Sequence, residues 1–533
     1  MGSEMCIRDK RYPMKKRIFA ALLALCLTAL TGCDWSTADP EDIFGTLTDY
    51  YNVEQKKQDV KLTSFALPYL KGETADPITC PDGAMQTLGA LVYEGLFALD
   101  GQFEAQPALA ESYTYDAARY TYTITLRSGV TFSDGSAVTA QDVVNSLRRA
   151  QSSARYSGRL AEVSDIRASG GAVRITLTGD NRSFVSRLDI PIVKSGTESS
   201  TFPTGTGPYA YSGEGGAHLA QNASWWQGKS LPLERIELTA CKDTDSVSYA
   251  FYAREVQLLF CDLTGADDSS VYGSGDYTDA ATTIMQYLCL TPRRAPFDAP
   301  AVRRAVTLGV DRASCVSAYL LGHGLAAQFP VSPASGLYPK DLETAYSQDG
   351  YASALEAAGL NTGKTRSLTL LVNQESSFRV STAQTIAAGL SRYDLQVTVR
   401  SLPYDEYVQA LEQGDFDLCL CQVKLTADWD LRPLLQSYAA MNYGGFTDPE
   451  TDALLAALCA AEAGERSAAM TALCEKLLDQ APMVPVCFKS YSVLLPAGAA
   501  SSPITPTASN PFYGISDLSL IHISEPTRLL SIS

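Results

Sequence analysis

From residue 367 onward the chain alternates between two periods, and that alternation restricts its fold more than any other feature. The runs "SLTLLVN" (367–373), "LQVTVRSL" (395–402) and "FDLCLCQVKL" (416–425) are short, apolar and rich in β-formers. Between them lie "FRVSTAQTIAAGLSRY" (378–393) and "YDEYVQALEQG" (404–414), which are longer and read as helices. A β-α-β-α-β order predicts an α/β fold with a parallel sheet and helical crossovers, in which ligands gather beyond the carboxyl ends of the strands. The third strand delivers "TADWDL", residues 426–431, to that edge.

Earlier in the chain the signals differ. Tyr120, Tyr122, Ile124 and Leu126 alternate with Thr121, Thr123, Thr125 and Arg127, the period of a half-buried strand. The alternation assigns the tyrosines to packing rather than to stacking on a sugar. Thr139 and Asp142 form a capping-box pattern ahead of "AQDVVNSLRRA". Pro300 opens a later helix, and Asp311 is placed to cap the next. Gly205, Gly207 and Pro208 crowd one turn, but no lysine and serine or threonine follow in P-loop frame, so a phosphate site is not expected.

Charge and cysteines narrow the function. With 59 acidic and 42 basic side chains the formal net charge is −17, a poor match to nucleic acid or anionic lipid. Most cysteines sit singly in apolar runs, such as Cys261 in "LLFCDL" and Cys289 in "YLCLT". Cys419 and Cys421, two apart in a strand, fall on one face and read as small core residues. His218 and His323 complete no clustered Cys/His pattern, so neither a metal nor another cofactor is expected.

At the start, Met14 is followed by Lys15, Lys16 and Arg17 and then by the apolar run 18–30. That run is shorter than the ~20 residues a helix needs to cross a bilayer. A basic start, a short apolar core and small residues at its end predict an export signal over 14–32. Leu30-Thr31-Gly32-Cys33 resembles a bacterial lipobox, which implies that Cys33 carries a diacylglycerol and begins the mature protein. Several acyl chains on one residue anchor where a single chain holds only marginally. Residues 33–57, polar and acidic, read as a tether of roughly 30 Å. The stretches 1–13 and 518–533 read differently: "GSEMCIRD" and "LSLIHISEP" can be written as reverse complements of one DNA element. They resemble sequencing-adapter read-through and are excluded from fold reasoning.

Eight segments, in order, resemble the extracellular solute-binding proteins of family 5, the oligopeptide-, dipeptide- and nickel-type receptors of ABC importers. They are "YEGLF", "PALAESY", "YTITLRSGVTFSDGSAVTAQDVV", "GTGPY", "APFDAPAVRRAVTLGVDR", "FDLCL" with "ADWD", "NYGGFTDPETDALL" and "APMVPV". The resemblance implies a two-lobed periplasmic-binding-protein fold of the peptide-binding type, with an extra subdomain inserted in the first lobe. Lobe I is then expected over 55–83, 203–285 and 484–517, the insertion over 84–202 and lobe II over 286–483.

It also implies a monomeric receptor that encloses a peptide or other small molecule and passes it to ABC permease subunits. In peptide-binding members an aspartate of an "ADY"-like segment pairs with the ligand's α-ammonium, and Asp428 falls on that position. Asp428, Trp429, Thr426 and Lys424 are the ligand-binding candidates, and Gly205, Thr206 and Gly207 are placed in a cleft or hinge loop. Lys424-Leu425 stands where the family commonly has glycine-tryptophan, and the asparagine usual before the "PF" segment is missing from "YLCLTPRRAPF". Both departures leave an oligosaccharide, opine or metal-chelate ligand as alternatives, and a surface chaperone or adhesin as a further class. No G-x-S-x-G elbow or H-E-x-x-H motif is present, so an enzyme is not expected.

Overall fold

The computed structural model describes residues 65–81, 83–264, 275–496 and 505–517, all within the compact unit Val60–Ser533. The export signal, Cys33, the tether and the two terminal stretches lie outside the described residues.

The alternating run forms the sheet it predicts. Arg366–Asn373 pairs in parallel with both Leu395–Leu402 and Leu418–Lys424, and the helices Ser377–Leu390 and Tyr404–Gln413 make the crossovers. Ser376 caps the first helix by accepting from the Arg379 amide, and Gly414 closes the second in the left-handed conformation at φ 66°. Both faces of the sheet are covered. Leu368, Leu370 and Val372 join Ile386 and Leu390 in one core, while Leu371, Cys419 and Cys421 join Tyr407 and Leu411 in the other.

Beyond Leu418–Lys424 the sheet turns antiparallel and passes through two long strands, Gly275–Leu290 and Met483–Pro496, to the short strand Leu259–Cys261. The two long strands are paired in three blocks. Residues 276–281 face 495–490, Met285 and Gln286 face Phe488 and Cys487, and 287–289 face 485–483, with register shifts between Ala281 and Met285 and between Gln286 and Tyr287. At the first shift, side chains take over from the ladder: Thr282 Oγ1 donates to Lys489 O at 2.6 Å and Thr283 Oγ1 to Leu425 O at 2.7 Å. The expected lobe boundaries, 285/286 and 483/484, fall within these two strands.

A second sheet of four strands is made from Ala66–Leu70, Arg235–Cys241, His218–Gln221 and Tyr209–Ser212. The helix Ala84–Val92, at the start of the expected insertion, packs Met85, Leu88 and Leu91 into the core of this sheet. The insertion's own sheet is an antiparallel meander of Ala110–Asp116, Thr121–Leu126, Ala172–Leu177 and Val163–Ser169, with the small hairpin Phe97–Leu99 and Ala105–Pro107 beside it. Tyr122 and Ile124 are fully buried, as the alternation predicts, whereas Tyr120 sits in the preceding turn at φ 51° and is exposed. The capping box at Thr139 and Asp142 forms on the helix Ala140–Gln151, and Pro300 and Asp311 open theirs.

Gly205 and Gly207 closely approach the carboxyl end of the helix Ala84–Val92. A Cβ on Gly205 would lie 2.1 Å from Val92 O, and one on Gly207 would lie 2.5 Å from Leu91 O. Between them Thr206 Oγ1 donates to Glu94 Oε2 at 2.9 Å. Gly205→Ala forces that backbone apart, and a loss of about 1–3 kcal/mol is expected. Urea unfolding against the parent protein checks the figure.

Candidate functional site

The segment after Leu418–Lys424 is bent by local hydrogen bonds. Leu425 N donates to Thr283 O and Trp429 N donates to Thr426 O, both backbone contacts, and Trp429 takes a left-handed φ of 56°. The turn sends the Trp429 indole inward, edge to face with Phe103 at 5.2 Å and with Phe488 at 6.0 Å between ring centroids. Phe103 comes from the hairpin of the insertion yet is buried in the core of the second lobe. Of the other candidates, Thr426 is half-buried in the turn and Lys424 is exposed at the strand end, opposite Ile284. Gly205, Thr206 and Gly207 are brought to Val92–Glu94, away from this segment.

Asp428 and Asp430 flank the tryptophan and meet a buried arginine of the insertion. Arg187 Nε donates to Asp428 Oδ2 at 2.6 Å, its Nη2 to Asp430 Oδ2 at 2.9 Å, and its Nη1 lies 3.0 Å from Glu162 Oε1. Asn181 Nδ2 donates to both Asp428 Oδ2 and Glu162 Oε1 at 2.8 Å. Arg432 closes the group, with Nη2 on Glu162 Oε2 and Nε on Asp430 Oδ1, each at 2.8 Å. Arg466 Nη2 donates to the backbone oxygen of Asp428 at 2.8 Å. The Asp428 side chain is wholly buried and that of Arg187 is 5% exposed. One atom stands out: Asp428 Oδ1 is buried without a hydrogen-bond partner among the described residues.

The electrostatics follow from this packing. Burial opposes the charge on Arg187, but Asp428, Glu162 and Asp430 together hold its guanidinium above the ordinary arginine value. Burial also pushes the Asp430 carboxyl up, and the hydrogen bonds and charge of Arg432, then the charge of Arg187, hold it below its usual range. Arg466 is lowered by burial, with Asp428 opposing.

Two further arrangements do not carry chemistry. Ser492, His323 and Asp279 meet beside the long strands, but Ser492 Oγ donates to Asp279 Oδ1 at 2.6 Å and lies 3.4 Å from His323 Nδ1. Its proton is aimed at the carboxylate instead of at an imidazole base, so the hydroxyl is not activated as a nucleophile. Cys419 Sγ and Cys421 Sγ are 3.3 Å apart in the core as free thiols, and no group of three or more metal-ligating residues occurs among the described residues.

The motif "TADWD" points to Asp428 but carries no sign of its partners. The signal available was an arginine inside "FVSRLDIPI", where Phe184, Val185, Leu188, Ile190 and Ile192 are core residues. A charge in such a run is buried only with a partner.

Two lobes sharing a pair of long strands, with a buried polar cluster where an inserted subdomain meets the second lobe, define a solute-binding protein of the two-lobed type. The sequence model described as bacterial extracellular solute-binding proteins, family 5, matches residues 104–440, and the chain belongs to that family. It is 28% identical over 294 residues to the glutathione-binding protein GsiB of Shigella flexneri, covering 52% of this chain and 55% of that one. The chain thus matches about half the length of its curated relatives. Among solved structures, a nickel ABC transporter protein from Bacillus halodurans superimposes with a TM-score of 0.71 at 20% identity, covering 84% of this chain and 98% of that one. The murein tripeptide binding protein MppA, in its unliganded open form, gives 0.69 at 18% identity over 81% and 93%.

Removing one partner of a buried pair strands the other charge, so Arg187→Met is expected to cost about 3–5 kcal/mol. The double variant Arg187→Met/Asp428→Leu loses less than the sum of the two single changes, and a urea-unfolding cycle measures the difference. A second expectation concerns acid. Asp430 binds its proton more weakly folded than unfolded, so its contribution is full above the ordinary aspartate value of about 3.9 and is lost as pH falls through the folded value. Unfolding free energy should therefore fall below about pH 4, and Arg432→Gln should flatten that dependence.

Proposed function

We propose that this chain is the substrate-binding receptor of an ABC importer, anchored through a lipid on Cys33, which encloses a short peptide between its lobes and delivers it to the permease. The observation that carries the reading is the pair of long strands with a register shift at 281–285, a joint about which two lobes can close on a solute. The peptide class is supported by Asp428, a buried carboxylate with one oxygen lacking a donor, at the position where the family's peptide receptors meet the ligand's amino end. The peptide backbone would be held by strand-like hydrogen bonds, leaving its side chains to roomy pockets. The curated relative named for glutathione, a modified tripeptide, favours the same size of ligand. Trp429 supports the Asp428 turn from within the core, while Thr426 and Lys424 border it at the surface.

Calorimetry with glutathione and a panel of tripeptides tests the ligand class. Micromolar binding corresponds to about −8 kcal/mol, and Asp428→Ala should weaken it at least tenfold. Failure of the whole panel to bind would turn the reading toward sugars or chelates. Cys33→Ser should shift the expressed protein out of the detergent phase in a phase-partition assay, and unchanged partition would reject the anchor.

A further inference from the structure

A cavity of about 490 Å³ lies between the helix Ala84–Val92, the hairpin of the insertion, the loop 225–229 and the segment 509–516. Small-molecule sites range over roughly 300–1,000 Å³. None of the described residues that line it lies in 286–483, so it excludes the Asp428 turn and needs no second lobe to complete its walls. The charges of those walls are already engaged. Glu94 accepts from Trp225 Nε1 at 3.1 Å, Trp226 Nε1 at 2.8 Å, Gln227 Nε2 at 3.4 Å and Thr206 Oγ1 at 2.9 Å, and Asp189 is paired with Arg159. The exposed Lys229 is also on the lining, and the Arg127 guanidinium stands over the Trp226 ring at 4.5 Å. An anionic ligand would face Glu94 and Asp189, and a cationic one Lys229 and Arg127, so the walls suit an uncharged molecule. What they still offer is ring surface and neutral hydrogen-bonding groups. With their indole N–H groups used on Glu94, Trp225 and Trp226 present carbon rings held at one edge. Gln106 and Gln227 spend their amide nitrogens on Asp100 and Glu94 and keep their carbonyl oxygens, while Asn510 Oδ1 accepts from the Phe512 amide and leaves its NH2. Tyr93 is part of the lining too, and its buried hydroxyl has no hydrogen-bond partner among the described residues. Rings beside unspent donors and acceptors match a pyranose, whose C–H face packs on an aromatic ring and whose hydroxyls both donate and accept.

We propose that this cavity is a second ligand site, for a neutral mono- or disaccharide packed on the rings of Trp225 and Trp226 and hydrogen-bonded by Gln106, Gln227 and Asn510. It is independent of the peptide reading, because it shares no residue with the Asp428 cluster. Glu94 does not touch the sugar; it is a positioning residue that pins both indoles.

The test titrates glucose, maltose and cellobiose calorimetrically into the full chain and into Trp225→Ala and Gln106→Ala. At least one sugar is expected to bind the parent with a Kd of about 1 mM or tighter. Trp225→Ala should weaken that sugar at least tenfold and Gln106→Ala at least threefold. Gln106 is exposed on the hairpin, so its variant carries the test if Trp225→Ala does not fold. Saturating glutathione should leave the sugar affinity within threefold of its value alone. Absence of binding by all three sugars overturns the proposal. Binding that neither variant weakens puts the sugar elsewhere on the molecule and overturns it as well, and so does displacement of the sugar by glutathione, which would mean one shared site. If glutathione itself does not bind, the peptide reading fails on its own and the sugar titrations with the two variants decide the second site.

Discussion

The rest of the molecule hangs on one antiparallel pairing, that of Gly275–Leu290 with Met483–Pro496. Long strands resist bending because each residue is held by ladder hydrogen bonds and by side chains on both faces. Here the ladder is interrupted between Ala281 and Met285, and hydroxyls of Thr282 and Thr283 satisfy the carbonyls of Lys489 and Leu425. The register slips again between Gln286 and Tyr287, so the irregular pairing is confined to a short stretch with regular ladder on either side, and a few residues outside regular pairing are where a hinge can bend. To one side lie Leu259–Cys261 and the core that Val493 and Leu495 share with the second sheet; to the other lies the parallel sheet that ends in the Asp428 turn.

The charged cluster shows how a chain this acidic can bury charge: Asp428, Asp430, Arg187 and Arg466 are buried, and Glu162 and Arg432 half-buried. Glu162, Asp428 and Asp430 are matched by Arg187, Arg432 and Arg466, and most donors and acceptors are satisfied within the group. Burial of such a group gains little stability over apolar packing, because desolvation offsets the attraction. Its value lies in geometry: three fixed carboxylates and planar guanidiniums tie the insertion to the second lobe in one arrangement.

How much of this was legible follows the sequence distance over which each contact acts. The parallel sheet, the capping box at Thr139 and the helix starts at Pro300 and Asp311 depend on neighbours a few residues away, and periodicity exposes them. The Asp428 turn was legible through its motif. Its partner was not, because Arg187 lies 241 residues earlier and nothing local tells a paired arginine from a solvated one. The strand break was hidden for a different reason. "TTIMQYLCL" reads as a continuous strand, and only the register of its neighbour shows where the pairing slips. The glycines at 205 and 207 were visible as a cluster, but their role depends on the carbonyls of Leu91 and Val92, which spacing cannot locate.

Phe103 has a mechanical consequence. It stands at the tip of a short hairpin in a left-handed conformation and is seated in the hydrophobic interior of the opposing lobe, against Trp429. Any motion that parts the hairpin from that core has to pull the ring out like a dowel from its socket, and re-wetting it costs roughly 1.5–3 kcal/mol. A cost met all at once at the first ångströms of travel makes half-open positions poor resting places. Separation at this contact is then a step between seated and unseated instead of a graded series.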